Sequence, residues 1–276
     1  MRPLGRASSV SLALQRGALA CALLLFLLPV AWLFSTAYKP ARDVFSHPPT
    51  LAFTPTLDNF RTIAGYFDLL QLLRSSLTIA VGSTVLALLL GVPAGYALAR
   101  SGWRSAPALV YLFLGVRMVP PVATLIPFYV LMRDVGLLGT VWAVILVHAT
   151  LSVSFVVWMM FAYFRSLPRE LEEAALVDGC TPLGALLRIV LPLVRPGLVA
   201  SALLCLMLSW NDFLYAAFLT RSDTKTLSVA LLSAYGTKDI TWGTLGALAH
   251  FSTVPIVLMA LFLNRYFVQG LTKGVH

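Results

Sequence analysis

Glu173-Ala174-Ala175-Leu176-Val177-Asp178-Gly179, followed by Ile189-Val190-Leu191-Pro192, forms a polar island between two long apolar runs. Its residues spell two short helices joined by a turn. Pro168 suits a first helical position, and Glu170, Glu172 and Glu173 sit in the first turns, where the helix dipole favours negative charge. Gly179 supplies a left-handed stop, Thr181-Pro182 starts a second helix, and Leu191-Pro192 with Arg195-Pro196 ends it near Val190. Leu183, Leu186, Leu187 and Val190 make a stripe that needs an apolar partner. Taken alone, such a pair is an interfacial element lying on lipid; placed between spans, it reads as a handle for another protein.

The surroundings of the island are those of a membrane protein. Of the 276 residues, 59% are hydrophobic and 11% charged, with a mean hydropathy of +0.87, so water cannot solvate the chain as one globule. There is room for about six spans of roughly 20 residues each. The formal charge of +9 would suit nucleic acid if it were gathered in one patch. The basic residues stand instead at span ends, where lipid headgroups and topology account for them and nucleic acid does not. Cys21, Cys180 and Cys205 imply neither a disulfide framework nor a metal site.

Spans are expected at about 17–38, 75–99, 106–132, 136–164, 197–219 and 241–266, all within one transmembrane domain over 1–276. The first follows Arg2, Arg6 and Arg16. Ser35-Thr36-Ala37 resembles a signal cleavage site, yet the apolar core is longer than a signal peptide needs, so a retained helix is expected. The third carries Arg117, Pro120-Pro121 and Pro127 and should be kinked. The outer loop from Lys39 to Arg74, with Pro40, Pro48, Pro49 and Pro55 among aromatics, reads as an ordered cap.

Orientation follows from the basic residues. Arg2, Arg6, Arg16, Arg100, Arg104, Arg165, Arg169, Arg188, Arg195, Arg265 and Lys273 fall on one side, against Lys39, Arg42, Arg61, Arg74, Arg133, Arg221, Lys225 and Lys238 on the other. Eleven against eight is a modest bias. The short connection at Arg100 to Arg104 and the island at 165–196 decide it, placing both termini in the cytoplasm.

Pro168-Arg169-Glu170-Leu171-Glu172-Glu173-Ala174-Ala175, Asp178-Gly179 and Ile189-Val190-Leu191-Pro192 together resemble the EAA loop of binding-protein-dependent ABC importer permeases. Three further segments resemble the smaller permease of maltose-type carbohydrate importers. They are Phe53-Thr54-Pro55-Thr56-Leu57-Asp58-Asn59-Phe60, Ser209-Trp210-Asn211-Asp212-Phe213 and Arg265-Tyr266-Phe267-Val268-Gln269-Gly270-Leu271-Thr272. Cys180 departs from the pattern, which usually has alanine there.

The resemblance implies an all-α integral membrane fold, a six-helix permease bundle whose island (165–196) is a cytoplasmic coupling helix. Glu173, Ala174, Ala175, Asp178, Gly179, Pro182 and Leu183 would then dock an ATP-binding subunit. It also implies a second related permease, two ATP-binding subunits, an extracytoplasmic substrate-binding protein and a bacterial inner-membrane location. ATP and Mg would be bound on the partner subunits, with no cofactor on this chain. The residues agree that this chain is not the motor. A phosphate-binding loop needs Gly-Lys-Ser/Thr, and Lys39, Lys225, Lys238 and Lys273 follow Tyr38, Thr224, Thr237 and Thr272.

Arg117, His148, Asp212 and His250 fall in four different spans, and ionisable groups inside a membrane point to a substrate pathway. Trp210 and Asn211 join them because an indole face packs on a pyranose and an amide binds hydroxyls. The same four ionisable residues could form the relay of a proton-coupled secondary transporter, but that class predicts internal repeats, and none is evident. An intramembrane hydrolase would need Ser/His/Asp or paired-histidine geometry, for which His47, His148, His250 and His276 are scattered along the chain.

Overall fold

The computed structural model describes residues 9–44, 46, 48, 50–235 and 241–273, with side chains over 14–259 outside the gaps and at 261. Among these, regular structure is helical apart from one isolated bridge between Gly139 and Thr220. The helices are α1 Ser9–Ala37, α2 Asp58–Tyr66, α3 Leu69–Arg100, α4 Ala106–Gly115, α5 Pro121–Asp134 and α6 Val141–Ser166. They continue as α7 Glu170–Val177, α8 Pro182–Leu193, α9 Arg195–Asn211, α10 Leu214–Leu219, α11 Leu227–Ala234 and α12 Trp242–Lys273. Arg2, Arg6, His47, Lys238 and His276 lie outside the described residues.

Four helices, α1, α3, α6 and α12, are long and apolar enough to cross a membrane, and the number rises to six if two bent pairs each count as one span. The third expected span is one of these pairs: α4 and α5 meet at 90°. The cause is the double proline. The residue before a proline is pushed out of the helical region, and here Val119 (ψ 125°) and Pro120 (ψ 133°) are both extended, after which Pro121 restarts the helix. The fifth expected span also breaks, because Asp212 is extended between α9 and α10. The fourth starts at Val141 instead of Gly136, since Gly136 and Gly139 take φ of +73° and +89° in a turn that ends at the Thr140 cap.

The chain divides into two compact units, Met1–Phe67 with Ser233–Phe251 and Asp68–Leu232 with Ser252–His276. In the first, the segment that follows α1 folds back on the end of that helix, the Thr56 N–H donating to the Tyr38 carbonyl at 2.9 Å. Asn59 is buried and its Nδ2 donates to the carbonyls of Ala37 and Lys39, each at 2.9 Å, closing the C-terminal end of α1. Lys39 is itself buried, its ammonium 3.9 Å from the Trp32 ring centre in a cation–π contact. Along α1, by contrast, Phe26 is 76% exposed and Leu25 73%. So wide an apolar surface is at home in lipid or against a partner span.

In the second unit α3 lies against α6 through Gly91 and Gly95. A Cβ added at Gly91 would stand 2.7 Å from Val156 Cβ, and one at Gly95 3.2 Å from Met160 Cβ and from the Val157 carbonyl. Two glycines four apart are what close helix approach in a membrane requires, because lipid supplies no hydrophobic drive to bring spans together. Two apolar clusters build on this contact. One joins Ala87, Val92, Val156, Met160 and Phe164 to Leu186, Val190 and Cys205; the other joins Ile79, Val144 and Val147 to Leu125, Tyr215 and Leu219.

Gly91→Leu is expected to wedge α3 from α6. Overpacking of this kind costs about 1–3 kcal/mol, which for a chain of this size lowers Tm by about 2–12 °C. Gly115→Ala, where a Cβ meets open space, should leave Tm unchanged. Thermal unfolding of the two detergent-purified variants checks both.

Candidate functional site

Between the two apolar clusters the helices turn polar side chains toward one another. A cleft of about 370 Å³ opens there, lined by residues of the α4–α5 corner, the middle of α6 and the α9–α10 break. His148 and Thr150 come from α6, Arg117 and Thr124 from the corner, and Ser209, Asp212 and Tyr215 from the break. Each kink therefore serves a purpose: it stops a helix where a polar group must point inward.

His148 holds this layer together. It is 5% exposed, with Nδ1 2.7 Å from Ser209 Oγ and Nε2 3.1 Å from Asp212 Oδ2. The Asp212 approach is an ion-pair distance without hydrogen-bond alignment. Ser83 of α3 adds its hydroxyl as a donor to Ser209 Oγ at 3.1 Å. Ser209 Oγ thus meets both the Ser83 hydroxyl and the His148 ring, joining α3, α6 and α9 at one point. Asp212 Oδ2 also accepts from the Ala216 N–H at 3.1 Å, capping α10. Arg117 donates through Nε to the Leu151 carbonyl at 3.0 Å, and Thr124 and Tyr215 hydroxyls meet at 2.6 Å.

Of the six pathway residues expected from sequence, the fold brings Arg117, His148 and Asp212 together at this cleft. The other three do not line it. Trp210 is 3% exposed and its indole N–H donates to the Ser252 carbonyl at 3.0 Å, a bond between α9 and α12. Asn211 is exposed and its amide bonds back to the Met207 carbonyl at 2.8 Å. His250 packs among Phe34, Tyr38 and Phe60, with ring centres 4.5, 5.9 and 6.0 Å away. A relay through all four ionisable residues is therefore not assembled in the cleft.

Scatter along the chain did not keep Ser209, His148 and Asp212 apart, because one histidine suffices and Ser209 and Asp212 lie one turn apart. Their bonds are nevertheless taken up within the fold: Ser209 is held by His148 and Ser83, and Asp212 caps α10. The sequence signal for Ser209 was present in the Ser209-Trp210-Asn211-Asp212-Phe213 segment. The contributions of Ser83, Thr124 and Tyr215 carried no signal before the helices were packed.

The island forms the expected helix pair, beginning at Glu170, two residues past Pro168. Its turn is a Schellman motif. The Cys180 N–H donates to the Ala175 carbonyl at 3.0 Å and the Gly179 N–H to the Leu176 carbonyl at 3.1 Å, with Gly179 at φ +85°. Thr181 Oγ1 then accepts from the Gly184 N–H at 3.1 Å and caps α8, with Pro182 in its first turn. Glu173, Ala174, Asp178, Gly179, Pro182 and Leu183 are all exposed. Ala175 is the exception at 3%, its methyl turned into its own chain. The leucine stripe divides likewise: Leu186 and Val190 enter the core, whereas Leu183 and Leu187 are 63% and 54% exposed. Val190 does not end α8. A π turn over Leu186–Val190 carries it on to Leu193, and α9 departs at 78°.

A helical membrane protein with a polar interior cleft and one rigid, outward-facing helix pair has the parts of a transport subunit that works with others. Residues 87–273 match the binding-protein-dependent transport system inner membrane component family, and the chain belongs to that family as a transmembrane permease subunit of an ABC importer. It is 34% identical over 251 residues to the trehalose transport system permease protein SugB of Mycobacterium tuberculosis, covering 90% of this chain and 91% of that one. It is 32% identical over 250 residues to the sulfoquinovosyl glycerol transport system permease protein SmoH of Agrobacterium fabrum, covering 90% and 88%. The fold matches a solved bacterial ABC transporter involved in the import of the acidic polysaccharide alginate with a TM-score of 0.79 at 22% identity, covering 97% of this chain and all of that one.

Trp210→Phe separates packing from substrate contact at that residue. Loss of the indole donor should cost about 1 kcal/mol and lower Tm by about 2–4 °C, with transport selectivity of the assembled importer unchanged. A change in selectivity would return Trp210 to the substrate pathway.

Proposed function

We propose that this chain is the permease, of the smaller maltose-type kind, in an importer of a carbohydrate or related polyol or glycoside. Trehalose and sulfoquinovosyl glycerol, named for two of its relatives, are both glycosides. Hydroxyl-rich cargo suits a cleft that offers Arg117, Thr124, His148 and Asp212 within apolar walls. The whole chain would serve as one permease domain with both termini in the cytoplasm. A second related permease would complete the pathway, and a substrate-binding protein would deliver cargo on the outer side.

Power enters at the island. The observation that carries this reading is the outward display of Glu173, Ala174, Asp178, Gly179, Pro182 and Leu183 on a capped, rigid turn. Two partner ATP-binding subunits would hold ATP and Mg, hydrolyse the nucleotide and grip this surface. The small Ala174 and Gly179 admit a partner backbone, Glu173 offers a carboxylate to a basic group, and Leu183 fills an apolar hollow. Closure of the ATPase pair then rocks the spans between outward and inward states.

Glu173→Lys and Gly179→Val should each abolish co-purification of the ATPase and substrate-stimulated hydrolysis, while the chain remains inserted. Unchanged stimulated hydrolysis in both variants would remove the docking assignment. The chain alone, in proteoliposomes with radiolabelled trehalose, should give no uptake under an imposed pH gradient. Gradient-driven uptake by the lone chain would instead support a secondary transporter.

A further inference from the structure

The island's most deeply placed charge is not among the residues expected to dock the ATPase. Glu172 turns away from the exposed face and is 13% exposed, against Arg100 at 14%. Arg100 grips it in a fork: Nε lies 2.8 Å and Nη2 2.5 Å from Glu172 Oε1. The other carboxylate oxygen accepts from the Tyr96 hydroxyl at 2.7 Å. Arg100 Nη2 also reaches the Leu167 carbonyl at 3.4 Å, where α6 ends. Both carboxylate oxygens are therefore bound by the last turn of α3, and the same arginine touches the end of α6.

The placement has a physical logic. Arg100 stands at the C-terminus of α3 and Glu172 in the first turn of α7, so each charge is favoured by its own helix dipole. A surface ion pair would yield under load, since water replaces it at little cost. This one is screened from water and geometrically fixed by a planar guanidinium and a third bond. The helix it holds is the one that carries Gly91 and Gly95 against α6 and Ser83 into the cleft layer. Ser83 lies 17 residues along α3 from Arg100, roughly 25 Å at the helical rise.

We infer that Glu172 is a positioning residue for transport: through Arg100 and Tyr96 it couples displacement of the island to α3, and through α3 to the cleft. The inference rests on docking of the ATPase to the exposed face of the island. Glu172 itself touches neither the ATPase nor the cargo. Its effect is on how much of the ATPase movement reaches the cleft.

The test uses the full importer with its partner permease, ATPase and binding protein, in which Cys21, Cys180 and Cys205 of this chain are replaced by alanine. Val119→Cys, in the cleft lining and 44% exposed in the native side chain, is labelled with a water-soluble maleimide before and after trapping with ATP and vanadate. With Glu172 present, trapping should change the labelling rate about five-fold or more. Glu172→Gln should keep ATPase co-purification and hydrolysis and lose that response. The exchanged pair Arg100→Glu with Glu172→Arg should recover it, while neither single reversal does.

A wild-type response in Glu172→Gln overturns the inference, as does loss of the ATPase in that variant, which would make the pair a support for docking. If Glu172→Gln fails to assemble, Arg100→Lys keeps the charge and removes the fork. A wild-type response there also overturns it, and a weakened one with the ATPase retained supports it. Glu173→Lys is run alongside. Retention of the ATPase by Glu173→Lys removes the docking reading, a result separate from the response of Glu172→Gln.

Discussion

The close contact between α3 and α6 at Gly91 and Gly95 is the constraint on which the rest of the second unit depends. Two spans in lipid gain little from burying apolar surface, since the surroundings are equally apolar, so they associate through the tightness of their fit. The missing side chains let Val156 and Met160 sit against the α3 backbone. With the helices held at that distance, Ser83 reaches Ser209 at one level and Arg100 reaches Glu172 at another. A looser pair would leave both polar contacts unmade, and a buried polar group without a partner is costly.

Between the two apolar clusters lies a layer rich in polar groups, and two helix breaks fall at its level. A continuous helix through Val119 or Asp212 would carry its side chains past the cleft. Instead Pro120-Pro121 turns the chain by 90° beside Arg117, and extended Asp212 frees the α10 N-terminus that its carboxylate then caps. Desolvated charge is tolerated there because each group has company: Asp212 stands beside His148 and the Ala216 N–H, and Arg117 bonds the Leu151 carbonyl.

Residue patterns reported the local events faithfully. The left-handed stop at Gly179, the cap at Thr181 and the long apolar helices all depend on a few neighbouring residues, and all formed. The severity of the α4–α5 bend was also written locally, in two consecutive prolines, although it exceeds a kink. Facing directions were harder to read. Trp210 has the chemistry for stacking on a sugar, but rotation about α9 sends it toward Ser252, and only packing decides that rotation. Glu172 and Glu173 are adjacent and chemically identical, yet one is bound by Arg100 and the other is exposed, because one residue along a helix is about 100° around it.

That rotation is what gives the island two distinct sides. Glu172, Ala175, Leu186 and Val190 face the chain's own core, while Glu173, Ala174, Leu183 and Leu187 face outward. In each helix the inward and outward sets are interleaved, so neither side can be altered by shifting the helix without altering the other. The turn between the helices is fixed by the Schellman bonds and the Thr181 cap, and α8 is joined to the core through a π turn, a feature that often marks functional sites. On its inner side Glu172 meets the α3 terminus, and Leu186 and Val190 join the apolar cluster of Val156 and Phe164.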